Sequence, residues 1–566
     1  MRGEEHKEET RVTREEEEMT TIRVFAVMFL AVRAWELYFS PLTLNGKVML
    51  VSALVAVCFA HRGAMCAALA TSCLRMLSRI PFAWDNEWWD LQTDAVLCWS
   101  LLQWISDDGC GWVLSAARTT RIQYALFYSA AGFWKLNSGF LDPTTSCATL
   151  FFTQHLGRLA SVVGADRAKR IAPAVAKVAP TATIALELGV GVAMFAKPKL
   201  GAVLAFVLHA AISLTPKPNN ISSFSAKCAA RLLFFASPRA IHRLVCWAVH
   251  RPLVAAAVLP VYVAVVSVLE PSGPQDWATA IFVPSCVFVL AALSLDDDDE
   301  NDRQIMETCC CCCCCCCCSK KKKKKRSNVL AVALAFIYSY VLLVLGLQDL
   351  GSPNMYSNLR LAGGPNHLLV PAAWWRRTVE RTYGGVVRVE ATTSTFVRRR
   401  YPADFTDALQ PAIVPDLLAA SGYLPATFFH PAKARVLRTL AIIPPRQRWV
   451  PFTVLAFEFR RLISEATAQG DPFEITYARL PGDTGDEVWR STSAAAATIT
   501  ASFDAKGLCS NCSATTDDNI SAACDPHELV RLPPLPYIAR KFTFFLPYPV
   551  LDRGDGPPPH VPCIGP

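Results

Sequence analysis

From residue 22 to residue 347 the chain alternates apolar stretches of about 14 to 24 residues with short polar connectors. The runs are continuous, without the period of two that marks half-buried strands, so they predict helices. Eleven candidate segments follow: 22–40, 47–60, 64–78, 91–106, 113–135, 181–196, 200–215, 224–247, 253–270, 277–295 and 329–347. A membrane helix needs about 20 apolar residues, and several of these are shorter, so the pattern predicts an α-helical polytopic membrane domain of about 8–11 spans. Kinked or re-entrant pieces are expected around 47–78 and 222–247.

After residue 350 the pattern changes to mixed polar and apolar positions rich in proline. GGVVRVEATTSTFVRRRYP has strand-like alternation, TVLAFEFRRLISEATAQG has helical spacing closed by glycine, and EITYARLP reads as a strand. The tail therefore predicts a C-terminal soluble α+β or β-sandwich domain. The expected organisation is an acidic cytoplasmic N-terminus over 1–21, a membrane domain over 22–295 and a low-complexity cytoplasmic loop over 296–328. A last membrane helix over 329–347 and a lumenal or extracellular domain over 351–566 complete it.

Composition supports the membrane class: 52% of the 566 residues are hydrophobic and 18% charged, against about a quarter charged in ordinary globular chains. The net charge of +9 resides largely in the run Lys320 to Arg326, which argues against a nucleic-acid partner. Ten of the 23 cysteines form the tract Cys309 to Cys318. That insert reads as a repeat expansion or gene-model error in a tolerant loop, or as a lipidated polybasic patch. It has no ligand spacing, so no metal is predicted.

Basic connectors stay on the cytoplasmic side of a membrane, which places the Lys-rich loop there and the tail opposite. The glycosylation patterns at Asn220, Asn511 and Asn519 then fall on the outer side. Cys509, Cys512 and Cys524 lie there too, where disulfides are permitted. The predicted location is an integral, multi-pass protein of the endoplasmic reticulum or another endomembrane, with the tail lumenal.

The stretch IQYALFYSAAGFWKLNSGFLDP ends a predicted helix at Lys135, flanked by Tyr128, Trp134 and Asn137. Lys135 reads either as a snorkelling lysine with its ammonium at an interface or as a buried amine, whose neutral form is a base. His209 reads as a polar contact between helices or as a catalytic group, and Glu187 as an ion-pair partner or a site residue. In MYSNLRLAGGPNHLLVP the glycines suggest a turn that returns polar groups, His367 among them, toward the membrane surface.

AGFWKLNSGFLDP resembles the AG-x-x-KL-(D/N)-x-x-(W/F) signature of the vitamin K-dependent γ-carboxylase and its HTTM-domain relatives. FVLHAAISLTPKPNNISSFSAKCAARLLFFASP is similar to that family's aromatic-histidine helix, and TIALELGVGVAMF to its acidic helix. The resemblance spans roughly residues 22–295. It implies Lys135, His209 and Glu87 as catalytic residues, and Trp134, Asn137, Tyr128, Asp85 and Glu187 as substrate-binding ones. In place of the family's upstream histidine stands FAWDNEWWD, with Asp85, Asn86 and Glu87. The implied cofactor is reduced vitamin K or a related quinol, used with O2 and CO2, and the implied partners are membrane lipid or quinone and a glutamate-containing protein. By that likeness Lys135 deprotonates the quinol, oxygen converts its anion into a strong base, and a peptide glutamate is carboxylated. The alternative is a non-catalytic HTTM-type protein that binds lipid or quinone or scaffolds partners, with a transporter third.

Overall fold

The computed structural model describes residues 2–38, 44–80, 85–107, 112–215, 222–252, 277–296, 329–348, 353, 357, 359, 367–400, 452–470, 472–480, 498–504, 509–515 and 548–549. The chain forms two compact units. One comprises Met1–Ser129, Leu186–Thr215 and Asn220–Ser339; the other comprises Ala130–Ala185, Pro216–Asn219 and Tyr340–Pro566.

The first unit is helical. Its principal elements are α1 (Arg2–Tyr38), α2 (Leu44–Phe59), α3 (Arg62–Arg79), α4 (Asp85–Asp107) and much of α5 (Trp112–Trp134). The acidic N-terminus and the first apolar segment are one continuous helix, not a separate tail and span. The α2–α3 turn uses Ala60 at a positive φ of 48°, and His61 then caps α3 by accepting the Ala64 N–H at 3.1 Å. Later in the chain, after α6 (Ser138–Leu141) and α7 (Cys147–Val163), come α8 (Ala165–Ala196) and α9 (Pro198–Ser213). They turn tightly enough that a Cβ on Gly201 would lie 2.5 Å from the Met194 backbone nitrogen, so only glycine fits. α10 (Ser222–Leu232) leads through a 3-10 turn to α11 (Pro238–His250) at a bend of 109°. Ser237 at the N-cap and Pro238 at the first helical position start the second limb cleanly. α12 (Trp277–Ser294) and α13 (Val329–Val344) follow.

The polytopic reading is corrected here. Among the described residues one helix, Ala165–Ala196, is long and apolar enough to cross a membrane, and the bent pair 222–250 adds a second only if its two limbs make one span. α2 and α9 have 16 residues each, which at about 1.5 Å per residue fall short of a hydrocarbon core of about 30 Å. α1, α3, α4 and α10 carry charges whose burial against one another a sliding hydropathy average does not register. A multi-pass membrane domain of eight to eleven spans is not supported. The candidate segment 253–270 and nearly all of the Cys/Lys insert lie outside the described residues.

The second unit holds a six-stranded sheet, β1 (Val386–Thr392), β2 (Phe452–Leu455), β3 (Phe473–Leu480), β4 (Thr498–Phe503), β5 (Cys509–Thr515) and β6 (Tyr548–Pro549), in the order β5-β4-β3-β1-β2-β6. Every pairing is antiparallel. A helix at Ala456–Ala468 leaves β2 without a loop and lays Phe459, Leu462, Ile463 and Ala466 on Val387, Val389, Ile475, Tyr477 and Phe503. The helix spacing, with apolar residues at steps of three and four, produces that face. Among the described residues this is a single sheet with a helix on it, not a sandwich of two. Ile463 is fully buried, so Ile463→Val, which removes one methyl group, is expected to cost about 0.5–1.5 kcal/mol of stability in chemical unfolding of the chain.

Candidate functional site

Lys135 and its neighbours form a tight corner in the second unit. α5 ends at Trp134, and the chain turns through Leu136 N–H to Phe133 carbonyl at 3.0 Å and Asn137 N–H to Lys135 carbonyl at 2.8 Å. Asn137 caps α6: its Oδ1 accepts the Phe140 N–H at 2.9 Å. Its Nδ2 donates to the Trp134 carbonyl at 2.9 Å and the Ser357 carbonyl at 2.7 Å. The side-chain amide is therefore spent on backbone, and Asn137 is a positioning residue.

His367 completes the corner from the tail. It forms a bridge with Asn137, and Leu368 N–H donates to the Leu136 carbonyl at 2.9 Å. Its Nδ1 accepts the N–H groups of Leu369 at 3.2 Å and Val370 at 3.1 Å. That leaves Nε2 as the protonated nitrogen, and it donates to the Phe133 carbonyl at 3.0 Å. Burial holds this imidazole below its usual range, in keeping with a ring nitrogen that serves as acceptor. The ring sits 4.8 Å from Phe133 and 5.3 Å from Trp134, and Trp134 lies 6.5 Å from Trp375. Trp134, fully buried, joins Trp375, Tyr383, Leu455 and Phe457 in one apolar cluster that ties the corner to the sheet.

Lys135 is 4% exposed, so it does not snorkel to bulk water. Its Nζ stands 3.5 Å from the Ala131 carbonyl and 5.8 Å from the Phe140 ring centroid. A cation at the C-terminal end of a helix also complements the helix dipole, the structural role that competes with catalysis.

The remaining predicted residues belong to the helical unit. His209 is fully buried and takes part in a three-residue chain: Ser225 Oγ donates to the His209 carbonyl at 3.2 Å and faces Nδ1 at 3.3 Å, and Tyr128 OH lies 2.5 Å from Nε2. The Ser225 proton is committed to the carbonyl, so Nδ1 carries the imidazole proton and Nε2 accepts from the phenol. Burial pushes His209 down to about 3, leaving it neutral. The Tyr128 phenol is pushed well above its usual range, by burial first and then by Cys228 and Tyr124, with Glu187 adding its charge. Tyr128→Phe strands Nε2 without its donor in a dry site, and is expected to cost about 1–3 kcal/mol in chemical unfolding.

Asp85 starts α4, accepting the Asn86 N–H at 2.7 Å, and its carbonyl accepts Tyr338 OH at 3.1 Å. Glu87 pairs with Arg79. Glu187 is 8% exposed. Of the sequence-predicted residues, then, Lys135, Trp134 and Asn137 share one unit, while Asp85, Glu87, Tyr128, Glu187 and His209 share the other. Of the glycosylation patterns, Asn511 sits on the outermost strand β5, paired with Ser502. Asn220 and Asn519 lie outside the described residues.

The helical unit also contains a buried ionic core that the hydropathy reading passed over. Asp94 pairs with Arg231 at 2.6 Å and Arg33 at 3.1 Å, and accepts Ser72 Oγ–H at 2.8 Å. Asp90 pairs with Arg33 and Arg231, each at 3.0 Å, and Lys227 at 3.4 Å. Glu36 binds Lys227 at 2.5 Å and Arg33 at 2.6 Å, and Arg231 Nε donates to Thr93 Oγ1 at 2.8 Å. The sequence did carry a signal: Arg33 with Glu36, Asp90 with Asp94, and Lys227 with Arg231 are charges one helical turn apart in or beside segments that are otherwise apolar. Among the described residues no group of three or more His, Cys, Asp or Glu side chains is arranged to hold a metal.

Residues 365–541 match a domain of unknown function, DUF8388. The match covers under a third of the chain, and it begins two residues before His367 and includes strands β1 to β5. No curated protein and no solved structure matches the chain. The matched family lies in the tail and brings no HTTM or carboxylase assignment to residues 22–295. The multi-pass description of that region is corrected, on the length and charge of its helices, to a largely helical region that contains a buried ionic core, and no match supports the HTTM-like or carboxylase-like description.

Proposed function

We propose that the chain is an acid–base enzyme acting on an apolar aromatic hydroxyl compound of the quinol class, with Lys135 as the proton acceptor. The observation that carries this reading is the burial of Lys135, 4% exposed and 5.8 Å from the Phe140 ring, on a corner braced from both sides by Asn137 and His367. A quinol is a weak acid with an aromatic face, and a buried amine beside aromatic side chains suits both its proton and its ring. Intrinsic rigidity matters here, because a base acts only when it is held within hydrogen-bond reach of the proton it takes. Oxygen is the electron acceptor for the quinol anion. Quinones dissolve in lipid, and α8, the helix long and apolar enough to cross a membrane, supplies the anchor.

The proposed location is an endomembrane with Lys135, Cys147 and the C-terminal sheet on the lumenal side of α8. Cys147 is disulfide-bonded, which suits an oxidising compartment, and the Asn511 glycosylation pattern belongs to that sheet.

The test gives membranes containing the full chain a reduced naphthoquinone and follows its oxidation under oxygen. Labelled bicarbonate and a glutamate-rich peptide in the same assay report carboxylation as a coupled step. Turnover that is lost in Lys135→Ala supports the proposal, and turnover unchanged in that variant overturns it. A second reading, binding of quinone or lipid without turnover, is favoured by the full internal use of the polar atoms of Asn137 and His367. It predicts saturable naphthoquinone binding with no oxidation in the wild-type protein.

A further inference from the structure

We propose that Cys66 and Cys98 are a redox-active thiol pair that a hydroperoxide closes into a disulfide staple between α3 and α4. Their sulfurs lie 3.5 Å apart. Each sulfur also faces the other residue's carbonyl, Cys66 Sγ at 3.9 Å from Cys98 O and Cys98 Sγ at 3.6 Å from Cys66 O. The two side chains thus point at each other across one helix–helix seam. Contraction by about 1.5 Å, within the reach of side-chain rotation, brings the sulfurs to the covalent distance.

Asymmetry between the two sulfurs sets the order of events. The hydrogen bond from Cys98 pushes the Cys66 thiol down to about 7, against the opposing effect of burial. Donating that hydrogen bond, together with burial, pushes Cys98 up. Cys66 is the nucleophile and Cys98 the resolving thiol. Cys73, two turns further along α3, is a useful contrast: its sulfur faces the Leu91 carbonyl at 3.9 Å, and burial pushes its thiol up to about 12. The approach for a small oxidant is from the side of Cys98, which is partly exposed and adjoins Trp99, 52% exposed.

The chemistry balances. The Cys66 thiolate attacks the O–O bond of the hydroperoxide and becomes a sulfenic acid, releasing an alcohol, or water if the oxidant is hydrogen peroxide. Cys98 then attacks that sulfur, the S–S bond forms and water leaves. Two thiols lose two electrons to the peroxide, and their protons end in the alcohol and the water. The staple would sit one turn beyond Asp94 on α4, clamping the seam that also holds Ser72 against that carboxylate.

The experiment treats the reduced full-length protein with cumene hydroperoxide, blocks remaining thiols with N-ethylmaleimide under denaturing conditions and maps the peptides by fragmentation mass spectrometry. The expected result is joint loss of alkylation at Cys66 and Cys98, a Cys66–Cys98 cross-linked peptide, retained alkylation at Cys73 and full reversal by dithiothreitol. In Cys98→Ser the cross-link disappears, and Cys66 is captured by dimedone as a sulfenic acid. A helical unfolding midpoint higher in the oxidised than in the reduced wild-type protein, with no such difference in Cys98→Ser, reports the staple without relying on the map. Persistent alkylation of both cysteines, or a cross-link from Cys66 to Cys73, overturns the proposal.

Discussion

Asp94→Ala is expected to remove about 3–5 kcal/mol from the stability of the helical unit, the largest effect of any single change considered, and for many chains of marginal stability that is enough to prevent folding. The Asp94 side chain is wholly buried and holds Arg231 at 2.6 Å, Arg33 at 3.1 Å and the Ser72 hydroxyl at 2.8 Å. Removing it leaves two guanidinium groups short of a counter-charge in a dry site, and the cost of that desolvated charge exceeds the value of the pair itself. Replacing Asp94 and Arg231 together by apolar residues of similar volume is expected to cost less, because the charges that remain still balance, Arg33 and Lys227 against Glu36 and Asp90. Chemical unfolding followed by helical circular dichroism compares the two. Equal destabilisation in both would show that packing, not charge, holds the core.

The same core sets an acid limit. Burial works against the charged forms of Glu36 and Asp90, but Arg33 and Lys227 around the first, and Arg231, Arg33 and Lys227 around the second, hold both carboxylates below their usual range. Groups depressed in the folded state contribute stability above their unfolded values, about 4, and lose it as pH falls through the folded values. Unfolding free energy is expected to be insensitive to these two groups from pH 8 to about 5 and to fall steadily below about pH 4.

Lys135→Ala is expected to lower quinol turnover by about 10²–10⁴-fold, the usual worth of a positioned general base. Lys135→Arg separates catalysis from architecture. A guanidinium keeps the positive charge at the end of α5 but does not give up its proton in proteins. If the residue is a base, arginine restores folding but not turnover. If it serves only to complement the helix terminus, arginine restores whatever alanine loses. Turnover in membranes and thermal unfolding, measured on both variants, decide between the two roles.

Much of the local structure was legible. Apolar runs located most of the helices, the glycine-closed helical spacing located Ala456–Ala468, and the β-branched stretches located β1 and β3. Lys135 was identifiable because a lysine in an aromatic, apolar helix end is unusual, and its burial is what the structure adds. Hydropathy overcounted the membrane spans of the first 295 residues. It averages over a window, so Arg33, Glu36, Asp90, Asp94, Lys227 and Arg231 register only as slight dips, although each lies on a helix face where an opposite charge from another helix meets it.

By itself, the sequence determined the elements: helical periods, strand alternation in the tail and the singular lysine at Lys135. These are local, because each depends on residues within a turn or two of chain. Only the tertiary structure decided that Asn137 and His367 spend their polar atoms bracing one corner 230 residues apart in sequence, that Cys66 faces Cys98, and that six charges on α1, α4 and α10 close into one buried core. Those facts depend on which helix faces meet, and burial of a charge is favourable or ruinous according to a partner that no local pattern specifies.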